Sequence, residues 1–193
     1  MPRVKQFDEK EILNKAMELF WKKGFHATSM QHLVSHLGIN RASLYDTFGG
    51  KEALFNSAFS EYRSTARHFF KSIFDKENTV RKGLKELFDT AIEEAVTDED
   101  RKGCFVVNTT TELIPGDEGL RKVLQDNATN IQQLFIDYIQ EGIDANEFDN
   151  SKNAEGIGLM LYTLYIGLRV AAKTDSDPEK LTRMVRAGLS VLD

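Results

Sequence analysis

The chain has little of what marks secreted, membrane-spanning or catalytic proteins. It holds one cysteine (Cys104), one tryptophan and three prolines in 193 residues. A single thiol excludes an intramolecular disulfide framework and agrees with a reducing compartment. Scarce proline beside long windows of apolar periodicity leads us to expect an all-α chain. No apolar run approaches the ~20 residues that cross a bilayer, and the N-terminus lacks an apolar leader, so the expected location is cytoplasmic. There is no G-x-S-x-G, Walker A or G-x-G-x-x-G element, so neither enzyme activity nor a cofactor is expected. His32 and His36 have the i, i+4 spacing of two metal ligands. No third Cys, His or carboxylate follows at a matching interval, and no metal site is expected. Cys104 reads as a small buried hydrophobe.

What is present suits one or two compact units with material for a core: 41% hydrophobic and 28% charged residues. The net charge of −5 is unevenly divided. Residues 1–51 carry eight Lys and Arg against five Asp and Glu, whereas residues 52–193 carry 17 against 25. A mildly basic head on an acidic body orients the head toward phosphate. The predicted domain boundary falls there, between a head over 1–51 and a body over 52–193.

Start signals agree along the head. Asp8 can cap a first helix, with Glu11 at N3 and Phe7 stapled onto Ile12, and an apolar stripe then runs to Phe20 before Gly24. Thr28 with Gln31 repeats the capping-box spacing for a second helix carrying Met30, Leu33, Val34 and Leu37. Gly38 suits the left-handed residue that ends it, and Asn40 caps a third helix. Helix, glycine turn and helix over 28–48 is the layout of a helix-turn-helix, whose second helix enters the DNA major groove. A longer helix begins at Lys51, with Phe55, Phe59, Tyr62, Ala66, Phe69 and Ile73 on one stripe, so no linker separates head from body. Further helices are expected near 79–96, 104–113, 118–145, 153–173 and 178–192.

With Leu44 pointing inward, Ala42, Ser43 and Asp46 face outward, flanked by Arg41 and Tyr45 on one side and Thr47 on the other. Arg41 can read a guanine edge or grip a phosphate, and Ala42 can touch a thymine methyl. Tyr45 and Thr47 hydroxyls suit phosphate oxygens. Lys51 at a helix start is a natural phosphate clamp, and Thr28 offers a hydroxyl to the opposite groove wall. Arg3 and Lys5 can form an arm on the backbone. Asp46 has two readings, an acceptor for cytosine N4 or a rim residue paired with a neighbouring cation.

Gly24-Phe25, Thr28-Ser29-Met30, the run Gly38-Ile39-Asn40-Arg41-Ala42-Ser43-Leu44-Tyr45, then Phe48 and Lys51-Glu52 with Leu54, together resemble the TetR family of transcriptional regulators over about residues 9–55. The resemblance implies a homodimer, usually a repressor, whose helical C-terminal domain binds a small effector and loosens its hold on a palindromic double-stranded operator. Thr47 stands where the family often has an aromatic or His, and Val34 where a small Ala is frequent.

In the body, the run from Gly156 to Leu168 is apolar on nearly every side, as for a helix surrounded by protein. One face can be intrachain core and the other half of a two-fold interface shared with 178–192, with Gly158, Tyr162, Tyr165, Leu181, Met184, Val185 and Leu189 as candidates. Burial wholly within one chain is the other reading. Residues 103–113 mix apolar bulk with amide and hydroxyl groups, as ligand sites do. Phe69, Phe88, Cys104, Phe105, Asn108, Thr109, Tyr138, Tyr162 and Tyr165 are the pocket candidates, with Phe135 a further possible wall; Asn108 and Thr109 are the favoured anchors. The aromatics read equally as packing. The competing function is a helical dimer acting through a protein partner or as a scaffold, with a vestigial head.

Overall fold

The computed structural model describes residues 7–193, so the expected arm of Arg3 and Lys5 lies outside the described residues. Among those described, every regular element is helical: α1 (Glu9–Lys23), α2 (Met30–Leu37), α3 (Arg41–Phe48), α4 (Lys51–Lys76), α5 (Val80–Thr97), α6 (Phe105–Leu113), α7 (Glu118–Asp144), α8 (Ala154–Ala171) and α9 (Pro178–Leu189). Short 3-10 turns follow α6 over Ile114–Gly116 and α9 over Ser190–Leu192. The last helix is therefore shorter than its apolar pattern suggests.

Local chemistry sets the boundaries of the head helices. The Asp8 carboxylate accepts from the Lys10 and Glu11 N–H groups, with Glu9 and Glu11 in the first turn of α1 and Lys22 and Lys23 in its last, matching the helix dipole. The cap of α2 is Ser29 rather than Thr28. Ser29 Oγ accepts from His32 N at 3.1 Å, while His32 Nδ1 accepts from Ser29 N at 3.2 Å. Thr28 is instead fully buried and donates to the Gly24 carbonyl at 2.6 Å, satisfying an orphan acceptor at the end of α1. Gly38 has φ 68°, and its N–H donates to the Val34 carbonyl. An added Cβ there would meet nothing, so backbone conformation rather than crowding calls for glycine. Asn40 Oδ1 then accepts from Ser43 N at 2.8 Å and starts α3.

Two hydrophobic clusters result. One joins Ile12, Ala16, Phe20, Leu33, Leu37 and Leu44 of the head to Leu54, Phe55, Ala58 and Phe59 of α4, and extends to Phe105, Leu120 and Leu124. The other fills the body among α4, α5, α7, α8 and α9. Helix α4 serves both, with Leu54, Phe55, Ala58 and Phe59 buried in its first half and Phe70, Ile73 and Phe74 in its second. At 1.5 Å per residue its 26 residues span about 39 Å. Helices α7 and α8 pack closely at Gly158, where a Cβ would lie 2.8 Å from the Ile136 backbone.

Candidate nucleic-acid interface and effector cavity

Helix α3 turns Leu44 into the head core and leaves Arg41, Ala42, Tyr45 and Asp46 exposed, with Ser43 and Thr47 half-buried beside them. The Arg41 guanidinium carbon lies 5.6 Å from the centre of the Tyr45 ring. Tyr45 packs in turn over Gly50, where a Cβ would come within 3.0 Å of the ring and φ is +117°. The turn into α4 thus fixes the flank carrying the two largest reading side chains. Asp46 makes no ion pair among the described residues. Lys51 is half-buried, and its ammonium sits 4.3 Å from the centre of the Phe25 ring. Burial lowers the Lys51 pKa below the ordinary lysine value, partly offset by the Glu112 charge. Thr28 does not join this surface. Its hydroxyl is spent on Gly24, and the α2 N-terminus reaches outward through Ser29 and the exposed His26 instead.

Behind this surface lies a junction that sequence reasoning missed. The Glu112 carboxylate, at the far end of α6, accepts from Phe25 N at 3.0 Å and from His26 N at 2.7 Å. It occupies the space a Cβ on Gly24 would need, 2.7 Å away, and Gly24 has φ +82°. A body carboxylate therefore holds the backbone of the α1–α2 turn. The partners lie 87 and 86 residues apart in the chain, and no local pattern announces the contact.

At the other end of α6, Cys104 and Val106 line a cavity with Tyr62, Arg63, Ala66 and Phe70 of α4, Asn127 and Ile131 of α7, and Tyr162, Tyr165, Ile166 and Arg169 of α8. About 460 Å³ is free of protein atoms, part of it open to solvent. Burial raises the Tyr62 phenol well above its usual range, with the Cys104 sulfur adding to the effect, and raises Tyr162 to about 12. Tyr165 shifts upward from the same cause. Arg169 is buried, bound to Glu94 Oε2 at 2.5 Å and to the Gly103 carbonyl at 3.2 Å.

Of the sequence candidates, the cavity brings together Cys104, Tyr162 and Tyr165. The others are placed elsewhere. Phe105 packs into the head cluster, 5.3 Å from the Phe59 ring centre. Phe88 is fully buried in the body core, and Phe69 packs against that core beside Phe70. Tyr138 stacks on Phe74 at 4.0 Å and directs its hydroxyl to the Thr79 carbonyl. Asn108 is a tie rather than an anchor. Its amide donates to the Lys102 carbonyl at 2.8 Å, and its oxygen accepts from Lys173 Nζ at 2.9 Å. Thr109 is buried, its hydroxyl has no partner among the described residues, and it is not on the cavity wall. The polar wall residues missed, Tyr62, Arg63, Asn127 and Arg169, include both cations. An arginine near the end of the almost wholly apolar α8 was a signal that could have been read.

Most residues expected at a two-fold face are placed within the chain instead. Leu181, Val185 and Tyr165 are buried within the chain, and Gly158 faces Ile136. Leu189 and Tyr162 are half-buried against the same core. The outward apolar residues are Leu159 and Val170 of α8 with Met184 and Val191 at the C-terminal end. Gly167, whose Cβ position is open, adds a gap on α8.

A family model for bacterial regulatory proteins of the TetR family matches residues 12–58, and one for the tetracyclin repressor-like C-terminal domain matches residues 81–188. The chain is 30% identical to the HTH-type transcriptional regulator YezE of Bacillus subtilis, with 100% of both chains covered. It is 29% identical to the HTH-type transcriptional repressor ComR of Escherichia coli, covering 94% of this chain and 87% of that one. Among solved structures, a cysteine mutant of the TetR family regulator CifR, complexed with 26 bp of double-strand operator DNA, aligns with a TM-score of 0.87 at 28% identity. That match covers 97% of this chain and 98% of the other.

Proposed function

Because the chain belongs to the TetR family and is a DNA-binding transcriptional regulator, we propose that it acts as a homodimeric repressor released from its operator by a small organic effector. In this reading Arg41, Ala42, Ser43, Tyr45, Asp46 and Thr47 meet base edges and the flanking backbone. Lys51 swings from the Phe25 ring onto a phosphate. The dimer forms through the outward residues of α8 and the C-terminal end, Leu159, Val170, Met184 and Val191, whose burial removes the largest apolar side chains left in water on that side.

The observation that carries the effector reading is the span of α6. Cys104 and Val106 stand against the cavity, and Glu112 stands on the α1–α2 turn, about 12 Å farther along at 1.5 Å per residue. A short helix moves as one body, so a ligand pressing on its first turn shifts the carboxylate that positions the head. Two heads must present α3 to major-groove faces about 34–36 Å apart, or a multiple of it, and a small tilt at each junction disturbs that spacing. A coupling of ~1–3 kcal/mol, roughly 5- to 150-fold in DNA affinity, is enough for a switch.

The test is selection of the full-length protein against a random duplex pool, followed by anisotropy with the enriched DNA. A two-fold symmetric site, bound at one dimer per duplex and weakening steeply with salt, is the expected outcome. Weak binding with no enriched sequence would favour the scaffold reading instead.

A further inference from the structure

Arg63 is a partly buried cation whose Nε, itself buried, has no acceptor among the described residues. It lies on the wall of the aromatic cavity and also on the wall of an adjoining groove between α4 and α7. Its guanidinium carbon stands 5.2 Å from the centre of the Phe59 ring. No carboxylate forms an ion pair with it among the described residues, and burial lowers its pKa below the ordinary arginine value. A buried guanidinium edge with no acceptor is costly unless something else uses it. By contrast Arg169, the other cation on the cavity wall, is neutralised by Glu94.

The groove repeats the theme. Arg63, Arg67 and Lys71 stand at i, i+4 and i+8 along α4 with His68 beside them, and Asp126 of α7 is the one carboxylate on the wall. Neither Arg67 nor Lys71 makes an ion pair among the described residues, although the body as a whole is acidic. These groups do not serve operator phosphates. Lys71 lies 20 residues along α4 from Lys51, about 30 Å at 1.5 Å per residue.

We infer that the effector is an amphipathic organic acid: its carboxylate pairs with Arg63, and its apolar body lies among Phe70, Ile131, Tyr162 and Ile166. The inference rests on the effector reading above and names the ligand's chemistry. A carboxylate accepts side-on from Nε and one terminal nitrogen of a guanidinium, which is the geometry that an arginine with a free Nε offers. Arg67 and Lys71 raise the local concentration of anions at the mouth. The aromatic and aliphatic walls take the tail.

The test uses matched pairs of acid and alcohol, decanoate with decanol and 4-phenylbutyrate with 4-phenylbutanol. Binding to the full chain is followed by the fluorescence of Trp21, the chain's single tryptophan, whose ring centre is 5.0 Å from that of Tyr62 on the cavity wall. Each acid should bind roughly 10- to 100-fold tighter than its alcohol, the worth of hydrogen bonds to a charged group. Arg63→Met should bring the acid down to its alcohol's affinity, and Arg63→Lys should restore part of the preference. The unliganded Arg63→Met protein should melt no lower than the wild type, since the group removed is an unsatisfied one. Alcohols that bind as well as acids would overturn the inference while leaving the effector cavity in place, as would a preference that survives Arg63→Met. Failure of all four compounds to bind would overturn both this inference and the effector reading.

Discussion

Glu112 offers the sharpest quantitative test of how body and head are joined. In Glu112→Ala two N–H groups lose their acceptor. The Phe25 N–H is part-buried and has no replacement, whereas the His26 N–H is exposed and returns to water. A hydrogen bond to a charged group contributes about 1.5–3 kcal/mol, and only the first of these two should approach that value, so a loss of about 2 kcal/mol is expected. For a chain of this length each kcal/mol moves the midpoint by roughly 2–4 °C, which predicts a drop of about 4–8 °C. Glu112→Gln keeps one acceptor oxygen and should fall roughly half as far. Thermal unfolding gives the total, and amide exchange by NMR gives the place: the Phe25 and His26 protons should exchange faster while amides in the middle of α8 are unchanged. Variants that melt within about 1 °C of the wild type, with Phe25 still protected, would show that the carboxylate merely rests on the turn.

Four other outcomes follow from particular contacts. Gly38→Ala should cost about 1 kcal/mol through the positive φ alone, because the added methyl meets nothing, and urea unfolding measures it. Arg41→Ala should relax preference at particular bases by ~1–3 kcal/mol, while Lys51→Ala should weaken all duplexes alike and reduce the salt slope by about one; competitive anisotropy separates the two. Stability should fall as the pH rises from about 10 toward 12. Burial holds the Tyr138 and Tyr162 protons to about 12, so the unfolded chain releases them first and gains relative to the folded one; a urea midpoint that is flat over that range would contradict this. Val170→Glu with Met184→Glu should turn a dimer into a monomer in sedimentation without changing the helical circular dichroism.

The sequence was most legible where a signal is local. Asp8, Gly38 and Asn40 act on backbone groups within four residues, and their spacing alone locates α1, α2 and α3. It was ambiguous where neighbours compete for a role. Thr28 and Ser29 both carry hydroxyls suited to capping, and the Gly24 carbonyl, brought close by the fold, decides which turns inward. It was poor where periodicity reports burial without saying what lies behind. Phe88, Phe105 and Tyr138 have the same spacing as cavity residues and are packed solid. Leu181 and Val185 differ from the outward Met184 only by a rotation of about 100° per residue around α9. Arg63 carries no sequence signal of its own, since a cation beside an apolar stripe reads as the stripe's solvated edge. Asn108 was misread because its partner Lys173 lies 65 residues away.

The coupling between cavity and head does not depend on Glu112 alone, because α6 begins with a pair of residues that face both compartments. Cys104 is on the cavity wall, and its neighbour Phe105 is in the head cluster, with ring centres 5.9 Å from Phe55, 5.3 Å from Phe59 and 5.4 Å from Tyr62. Phe55 in turn meets Phe20 of α1 and Phe25 of the α1–α2 turn at 5.2 and 5.0 Å. Of the rings in this contact series, all but Phe25 and Tyr62 are buried, and a close-packed interior does not absorb a displacement of its neighbours. A change at Cys104 must therefore be expressed at α1 either through these rings or by opening a gap, which costs about 24 cal/mol per Å³. Phe105→Leu removes ring contacts while leaving Glu112 and the cavity wall in sequence, so it separates the two routes. If the rings carry the coupling, the response of DNA affinity to a cavity ligand should shrink while binding of that ligand persists; if Glu112 carries it alone, the response should survive.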